Sequence, residues 1–382
     1  MATQKHKLKE VVSVFFKLGC FAFGGPAAHI AMMEAEVVTK RKWMTRQHFL
    51  DLVGATNLIP GPNSTEMTMH CGHERAGWKG LFLAGASFIL PAVIITGILA
   101  YLYVAYGQLP EVAPFVNGIQ PAVLAIIASA ILKLGKKAVK NWELAVLGTA
   151  VLVASLLGLN EIVGLLAGGV LGMVYFSIKT RLLSTQSSVF APFLLPFVSL
   201  QTVETLSHLK IFWIFLKVGS ILYGSGYVLF AYLDAELVTA GLLSRPELME
   251  AIGIGQFTPG PVLSTATFIG YQLGGYWGAI GATLGIFLPS FLLVLILNPL
   301  VPKMRKSKPL GYFLDSVNVA AVAVMLAVLW VMAKETLTDW RMAVIAIVSV
   351  ILVFGFKKVS VIWGIVIGAV LGYLLTFIEL IP

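Results

Sequence analysis

The sequence predicts an all-α polytopic membrane protein built from two homologous halves, and three observations support this fold class. Hydrophobic residues occupy 58% of the 382 positions and charged residues only 12%, whereas a soluble domain carries roughly a quarter charged residues. Long stretches contain no charged residue or histidine, the longest being residues 251–302. In addition, motifs of the first half return in the same order in the second half.

Charge-free stretches place the membrane spans. A transmembrane helix needs about 20 apolar residues, so residues 251–302 are long enough to hold two membrane elements. Two elements interrupted by glycine and proline open each half, and four uninterrupted spans follow. We predict these spans at residues 81–106, 114–132, 144–159, 161–178, 278–300, 314–333, 341–356 and 359–379.

The internal repeat is carried by residues that chance similarity between apolar segments does not explain. Phe15–Gly19 returns as Phe215–Gly219. Asn57–Pro62 returns as Gln256–Pro261. Lysine, glutamate and Pro-Gly-Pro recur in one order, so we infer a duplication. The predicted divisions are a first repeat, a linker and a second, inverted repeat, at residues 1–180, 181–206 and 207–382.

Basic loops set the predicted orientation, because loops rich in Lys and Arg face the cytoplasm. If the linker crosses the membrane once, over residues 183–200, every basic loop falls on the cytoplasmic side. The halves then have opposite orientations, as in the inverted repeats of many secondary transporters, with the N-terminus cytoplasmic and the C-terminus periplasmic. The basic segments are the N-terminal tail, residues 133–140, Lys179 with Arg181, residues 303–308 and Lys357 with Lys358.

The interrupted elements allow two interpretations. As re-entrant hairpins that turn at Gly24–Pro26 and Pro60–Pro62, they keep the basic loop of residues 40–46 on the cytoplasmic side. This interpretation gives nine crossings and four hairpins, and the alternative is thirteen plain crossings. In both, proline interrupts the helix because it lacks an N–H group and clashes with the preceding turn. The predicted helix breaks are Pro26, Pro60, Pro62, Pro259 and Pro261.

A helix break at membrane depth favours an anion site near the bilayer midplane. Lipid cannot satisfy freed backbone groups, so the break needs protein or a wet cavity around it. The half-helix that follows begins with unpaired N–H groups and a partial positive charge, which favours an anion. The alternative is a structural kink with local capping. The predicted anion-binding residues are Gly24, Gly25, Asn57, Gly61, Asn63, Ser64, Thr65, Gly224, Ser225, Gln256, Gly260, Ser264 and Thr265.

Lys17 and Lys217 are predicted to supply positive charge to the same site. Both lie at equivalent positions within apolar segments, where a charged side chain costs about 3 kcal/mol on insertion scales. Such a residue usually faces a cavity or a partner. The alternative is that each side chain snorkels to the membrane surface.

Three carboxylates are candidates for carrying a coupling proton. Glu36 and Glu236 recur beside the first break of each half, and the alternatives for them are pairing with Lys17 and Lys217 or solvation in a loop. Glu66 follows the first Pro-Gly-Pro within an apolar stretch, and Thr265 stands at its position in the second half. An unmatched carboxylate within the membrane is typical of a functional site.

Motifs of several other function classes are missing. The chain has no Walker sequence and no G-x-S-x-G motif, so we predict neither ATP-driven transport within this chain nor enzyme activity. Cys20 and Cys71 lack metal or redox spacing, and His70 and His73 have no obvious third ligand, so no metal or cofactor is expected. The net charge of +9 is attributed to cytoplasmic loops that contact anionic lipid, not to nucleic-acid binding.

Three segments resemble the signature segments of the chromate ion transporter family, and the duplication resembles its long-chain, two-domain bacterial branch. The segments are residues 21–26, 57–65 and 256–261, and the likeness covers nearly the whole chain. The resemblance implies a secondary transporter that exports chromate across the bacterial inner membrane and confers chromate resistance. It also implies competition by sulfate, a tetrahedral dianion of similar size.

Other functions and assemblies stay open at this point. A carrier for sulfate or another oxyanion belongs to the same class, whereas a passive anion channel belongs to a different one. Val262 and Leu263 replace Asn63 and Ser64 in the second half, so the first half is expected to hold more polar contacts. The expected partners are the anion and the lipid bilayer, and a homodimer is left open.

Overall fold

The structure is a computed structural model, and it describes residues 4–23, 25–56, 59–183, 207–223, 226, 228–297, 307–355 and 361–376. Every regular element in these ranges is a helix. The predicted site residues Gly24, Asn57, Gly224 and Ser225 lie outside the described residues. So do the linker from residue 184 to 206 with its predicted crossing, residues 303–306, Lys357 with Lys358, and the C-terminal end.

Seven helices form the described part of the first half. They are α1 (Gln4–Phe21), α2 (Pro26–Met33), α3 (Arg46–Thr56), α4 (Asn63–Tyr106), α5 (Ala113–Ala138), α6 (Trp142–Leu156) and α7 (Glu161–Leu183). The helix α2 continues as a π-helical segment, Glu34–Lys40. Helical structure is interrupted between α1 and α2 and between α3 and α4, where the two glycine- and proline-containing motifs lie.

The described part of the second half has the same order of elements. It contains α8 (His208–Ile221), α9 (Leu229–Leu233), α10 (Arg245–Phe257), α11 (Thr265–Leu297), α12 (Lys308–Thr336), α13 (Trp340–Val350) and α14 (Val361–Thr376). A π-helical segment, Asp234–Val238, extends α9, and a 3-10 turn, Val262–Ser264, precedes α11. Non-helical backbone kinks α4 at Ala76 and Gly77 and α11 at the equivalent Gly274 and Gly275.

The apolar helices confirm a polytopic membrane protein. In the part of the chain that the structure describes, α4, α5, α7, α11 and α12 are long and apolar enough to cross a membrane. The apolar helices α6, α13 and α14 are shorter. The described part of each predicted span overlaps one of these helices. The first predicted span, residues 81–106, is the second segment of α4, after its kink.

Polar contacts bring together the two ends of each interrupted element of the first half. Glu10, in the first part of α1, accepts hydrogen bonds from Arg41 Nη1 at 2.9 Å and from Arg75 Nη2 at 2.6 Å. His48 Nε2, near the start of α3, lies 3.2 Å from Glu74 Oε2 on α4. The start of α1 therefore lies near the end of the segment that follows α2, and the start of α3 lies near the end of the first segment of α4.

The two halves pack together through their later helices. The helix α7 packs against α12, and its repeat α14 packs against α5. Lys140 Nζ, just after α5, lies 2.6 Å from Asp315 Oδ1 near the start of α12. Thr180 Oγ1, near the end of α7, lies 2.8 Å from the Tyr312 hydroxyl on α12. The end of α5 thus meets the start of α12, so α5 and its repeat equivalent α12 run in opposite directions where they pack.

Close helix packing at Gly118 gives a stability prediction. A Cβ atom at Gly118 on α5 would lie 2.9 Å from the Gly372 Cα atom on α14 and would overlap the Gly368 carbonyl. We expect Gly118→Val to destabilise the protein by about 1–3 kcal/mol, because overpacking forces the helices apart. Thermal unfolding of purified protein in detergent measures the loss. Gly97→Val on α4, where nothing lies within 4 Å of the added Cβ, should unfold like wild type.

Candidate functional site

The two Pro-Gly-Pro turns interlock at the centre of the molecule. The Gly61 N–H donates to the Leu222 carbonyl at 2.7 Å, and the Gly260 N–H donates to the Ala22 carbonyl at 2.9 Å. Gly61 and Gly260 are repeat equivalents, as are Ala22 and Leu222. The turn of each half therefore bonds to the first break of the other half, and the two bonds have the reciprocity that a two-fold relation requires.

Glycine is needed at the centre of each turn for two reasons. The φ angle is 145° at Gly61 and 93° at Gly260, a region that L side chains rarely adopt. A Cβ atom at Gly61 would also overlap the Glu66 carboxyl group and the Ser290 hydroxyl group. The sequence Pro-Gly-Pro thus forces a sharp turn in a space too small for any side chain.

The first turn leads directly into α4, whose first N–H groups have no side-chain cap from Pro62. Ser64 and Thr65 are buried in its first turn, and Ser264 and Thr265 are buried at the equivalent place in the second half. Thr265 Oγ1 donates to the Val262 carbonyl at 2.8 Å, which is local capping. Among the described residues, Thr65 Oγ1 and Ser264 Oγ have no hydrogen-bond partner. The local-capping alternative therefore holds for Thr265 but not for Thr65 or Ser264.

A cavity of about 140 Å³ lies beside the first Pro-Gly-Pro turn. A water molecule needs about 10–15 Å³ of such space, so the cavity holds several waters or a small anion. Its described polar lining consists of Asn63 at the start of α4, Lys137 at the end of α5 and Asn318 on α12. Apolar side chains, among them Ile59 and Val228, form the rest. Both halves of the chain therefore contribute to the cavity wall.

The electrostatics of this cavity favour an anion. Lys137 is exposed, and Lys133, Lys136 and Lys140 lie on the same end of α5 or just beyond it. The N-terminus of α4 adds a partial positive charge. Among the described lining residues there is no carboxylate. The amide groups of Asn63 and Asn318 can each donate hydrogen bonds to an anion.

The equivalent positions of the repeat carry different residues. There Gln120 stands for Asn318, Val262 for Asn63 and Glu335 for Lys137. The buried Glu250 on α10 accepts a hydrogen bond from the Tyr103 hydroxyl and another, 2.8 Å long, from Gln120 Nε2. These three side chains tie α4, α5 and α10 together. The structure is therefore asymmetric, with a cavity on the side of Lys137 and a hydrogen-bonded cluster of Tyr103, Gln120 and Glu250 on the other.

The predicted lysines lie away from the cavity lining. Lys217 Nζ donates to Glu236 Oε1 at 2.7 Å, which is one of the alternatives that the sequence offered. Lys17 is exposed on α1 and its charge acts on Glu36. A hydrogen bond from Lys40, 2.6 Å long, together with the charges of Arg41 and Lys17, holds the pKa of Glu36 below its usual value. Of the predicted anion-binding residues, Asn63 is the one among the cavity's described lining residues.

Sequence reasoning missed Lys137, Asn318, Gln120 and Glu250. In the sequence, Lys137 indicates only that its loop faces the cytoplasm, because its position beside the α4 N-terminus depends on packing between helices. Asn318 and Gln120 did carry a usable signal, since an amide recurs at equivalent positions within two apolar spans. Glu250 lies in the acidic segment after the first break of the second half, and nothing in the sequence brings it to Tyr103.

Broken helices from two interlocked halves, meeting beside a cationic cavity in a bundle of apolar helices, define a multi-pass membrane protein of the transporter class. A sequence model described as Chromate transporter matches this chain twice, at residues 9–173 and 209–373. The chain belongs to the chromate transporter family. The resemblance drawn from the Pro-Gly-Pro segments is confirmed, and so is the fold class of an α-helical membrane protein with two repeated halves.

Relatives of similar length match most of the chain. The chromate transport protein of Cupriavidus metallidurans is 32% identical over 362 residues, covering 93% of this chain and 90% of the relative. The probable chromate transport protein of Synechococcus elongatus is 28% identical over 353 residues, covering 91% and 90%. An uncharacterized transporter of Methanocaldococcus jannaschii is 27% identical over 375 residues, covering 94% and 92%. No solved structure matches the chain.

Proposed function

We propose that this protein is a secondary transporter that exports chromate across the bacterial inner membrane and thereby confers chromate resistance. The observation that carries the proposal is the cavity at the start of α4, where Lys137, Asn63 and Asn318 converge. In a chromate transporter family member, this is the place among the described residues where a positive side chain, amide donors and a helix N-terminus meet beside free space.

A tetrahedral dianion suits the donors of this cavity. Lys137 supplies a full charge, the first N–H groups of α4 supply fixed donors, and the two asparagine amides supply adaptable ones. Thr65 and Ser264 add buried hydroxyl groups next to the interlocked turns. Sulfate has the same shape and charge as chromate, so we expect it to compete for the same donors.

The proposed orientation is cytoplasmic for the end of the molecule that carries Lys137. The basic ends of α5 and α7 lie together there, which satisfies the preference of Lys and Arg for the cytoplasmic side. The opposite directions of α5 and α12 support an inverted repeat with divisions at residues 1–180, 181–206 and 207–382. The N-terminus is then cytoplasmic, the C-terminus periplasmic, and the first-half hairpins are re-entrant from the cytoplasm.

Alternating access follows from the asymmetry between the two sides. The cavity beside Lys137 is the inward-facing site, and the Tyr103–Glu250–Gln120 contacts close the outward path. Rocking of the hairpins against the later helices would open that path and close the first. We propose that Lys17 and Lys217 balance Glu36 and Glu236 in this conformation and do not contact the anion. Moving a dianion out of a negative-inside cell gains about 4.6 kcal/mol per 100 mV, so export is favoured by the potential.

Counterflow in proteoliposomes tests the proposal. Vesicles preloaded with unlabelled chromate should take up labelled chromate transiently above its equilibrium level, because a carrier exchanges bound anions. Everted membrane vesicles that contain the protein should accumulate chromate, as export from the cytoplasm requires. Leakage of chromate without counterflow would make the protein a channel. Counterflow with sulfate and none with chromate would make it a sulfate carrier.

A further inference from the structure

Glu66 is a buried carboxyl group that has no ionic partner in the part of the chain that the structure describes, and it lies about one helical turn from Asn63 in the cavity wall. It lies in the first turns of α4 with a fully buried side chain. Neither carboxyl oxygen has a hydrogen-bond partner among the described residues. Gly61 of its own half and Ser290 of the second half lie against it. The carboxyl group is therefore enclosed by the interlock between the two halves.

Among the described residues, no cation forms an ion pair with Glu66. Ionising an isolated carboxyl group away from water is costly unless a counter-charge or several donors are present. The Ser290 hydroxyl, on the helix that faces Glu66, offers one donor at most. The Tyr223 hydroxyl, after α8, interacts electrostatically with Glu66. Other titratable groups of α4 and of the elements packed against it include His70 on α4 itself, Lys17 on α1, His29 on α2, His48 and Asp51 on α3, Glu250 on α10 and Tyr271 on α11.

The position of Glu66 links it to the anion cavity. Asn63 and Glu66 are three residues apart on one helix, so their side chains lie on the same face. An anion held by Asn63 and the start of α4 would therefore lie about one helical turn from the Glu66 carboxyl group. A negative charge at that distance repels a dianion, and a protonated carboxyl group does not.

We propose that Glu66 is a proton-binding site linked to the anion site, so that chromate binds when Glu66 carries a proton and the two move together. This inference rests on the proposed function of the cavity, and it identifies the proton as the ion whose movement is coupled to that of chromate. The proton passes from water to a Glu66 oxygen before or as the anion binds, and it returns to water after the anion is released. Each transported dianion then carries a net charge of minus one. Thr265 stands at this position in the second half, so the repeat supplies a single such carboxyl group.

Proton-linked binding is measured on the purified full-length protein by calorimetric titration with chromate in two buffers of different ionisation enthalpy. Above the pH at which Glu66 loses its proton in the free protein, wild type should take up one proton per bound anion, and its affinity should fall about tenfold for each further unit of pH, as linkage requires. Below that pH, Glu66 is already protonated, and binding should show neither effect. Glu66→Gln should bind chromate with no proton uptake by the protein. The same titration is repeated with sulfate. Sulfate does not titrate near neutral pH, so any proton uptake then belongs to the protein and not to the anion.

Glu74→Gln is the matched control, because Glu74 lies on the same segment of α4 but is partly exposed beside His48. It should behave as wild type. A second measurement does not depend on any variant. In proteoliposomes, wild type should move one charge and one proton for each sulfate or chromate dianion, reported by current and by a trapped pH dye, while Glu66→Gln should move two charges and no proton.

The outcomes separate the two proposals. If wild type performs chromate counterflow but moves no proton, or if Glu66→Gln still takes up a proton on binding, Glu66 is not the coupling site and the proposed function stands. If wild type neither binds nor exchanges chromate, the proposed function itself fails. Should Glu66→Gln not fold, the wild-type proton count alone decides.

Discussion

Gly61→Ala should abolish chromate transport, whereas Gly77→Ala should leave it close to wild type. Both glycines have a positive φ, 145° at Gly61 and 66° at Gly77, so a side chain adds backbone strain of about 1–3 kcal/mol at either position. At Gly61 the added Cβ also overlaps Glu66 and Ser290, whereas at Gly77 nothing lies within 4 Å. The turn at Gly61 must therefore shift, which also disturbs its hydrogen bond to Leu222.

Chromate uptake into everted vesicles, normalised to the amount of folded protein, measures this difference. Gly260→Ala extends the test to the second turn, where the added Cβ would lie 2.9 Å from the Ala92 Cβ atom. We expect it to be impaired as well, because the neighbouring backbone leaves it little room. Wild-type rates in Gly61→Ala would mean that the interlocked turns are not part of the transport pathway.

Lys137→Glu should weaken chromate binding at least tenfold. Two unit charges 4 Å apart interact by about 1 kcal/mol even in bulk water, and this substitution replaces attraction by repulsion opposite a double charge. Salt and exposure reduce the effect, so tenfold is the lower bound that we expect at low ionic strength. Lys137→Arg keeps the charge and should retain binding.

Lys136→Glu is the matched control for this prediction. It changes the net charge by the same amount on an adjacent exposed residue of α5 that is not among the cavity's described lining residues. Equal losses in both variants would reduce the role of Lys137 to general attraction of anions. Lys17→Ala and Lys217→Ala complete the comparison, because abolished binding in either of them, with the protein folded, would return the sequence-predicted lysines to the site.

Much of the fold followed from local chemistry. Runs without charged residues placed the apolar helices, and Pro-Gly-Pro located the turns, since proline removes a donor and glycine allows a positive φ wherever they occur. The repeat also predicted that α4 and α11 are equivalent helices, each following a Pro-Gly-Pro turn. The position of Lys137 next to Asn63, by contrast, depends on how α5 packs beside the first turn of α4. The sequence alone also does not show whether Lys217 pairs with Glu236 or with an anion.

The reciprocal bonds at Gly61 and Gly260 also constrain how this protein is made. The Gly61 N–H has its acceptor at Leu222, so the first half cannot complete its central turn until the ribosome has delivered the start of the second half. The Ala22 carbonyl likewise gains the Gly260 N–H only from the second half, although His29 Nε2 of its own half also lies 3.1 Å from it. A polypeptide carrying the first half alone would leave the Gly61 N–H without this acceptor, and it would need a second copy, made by another ribosome, to form the equivalent bond.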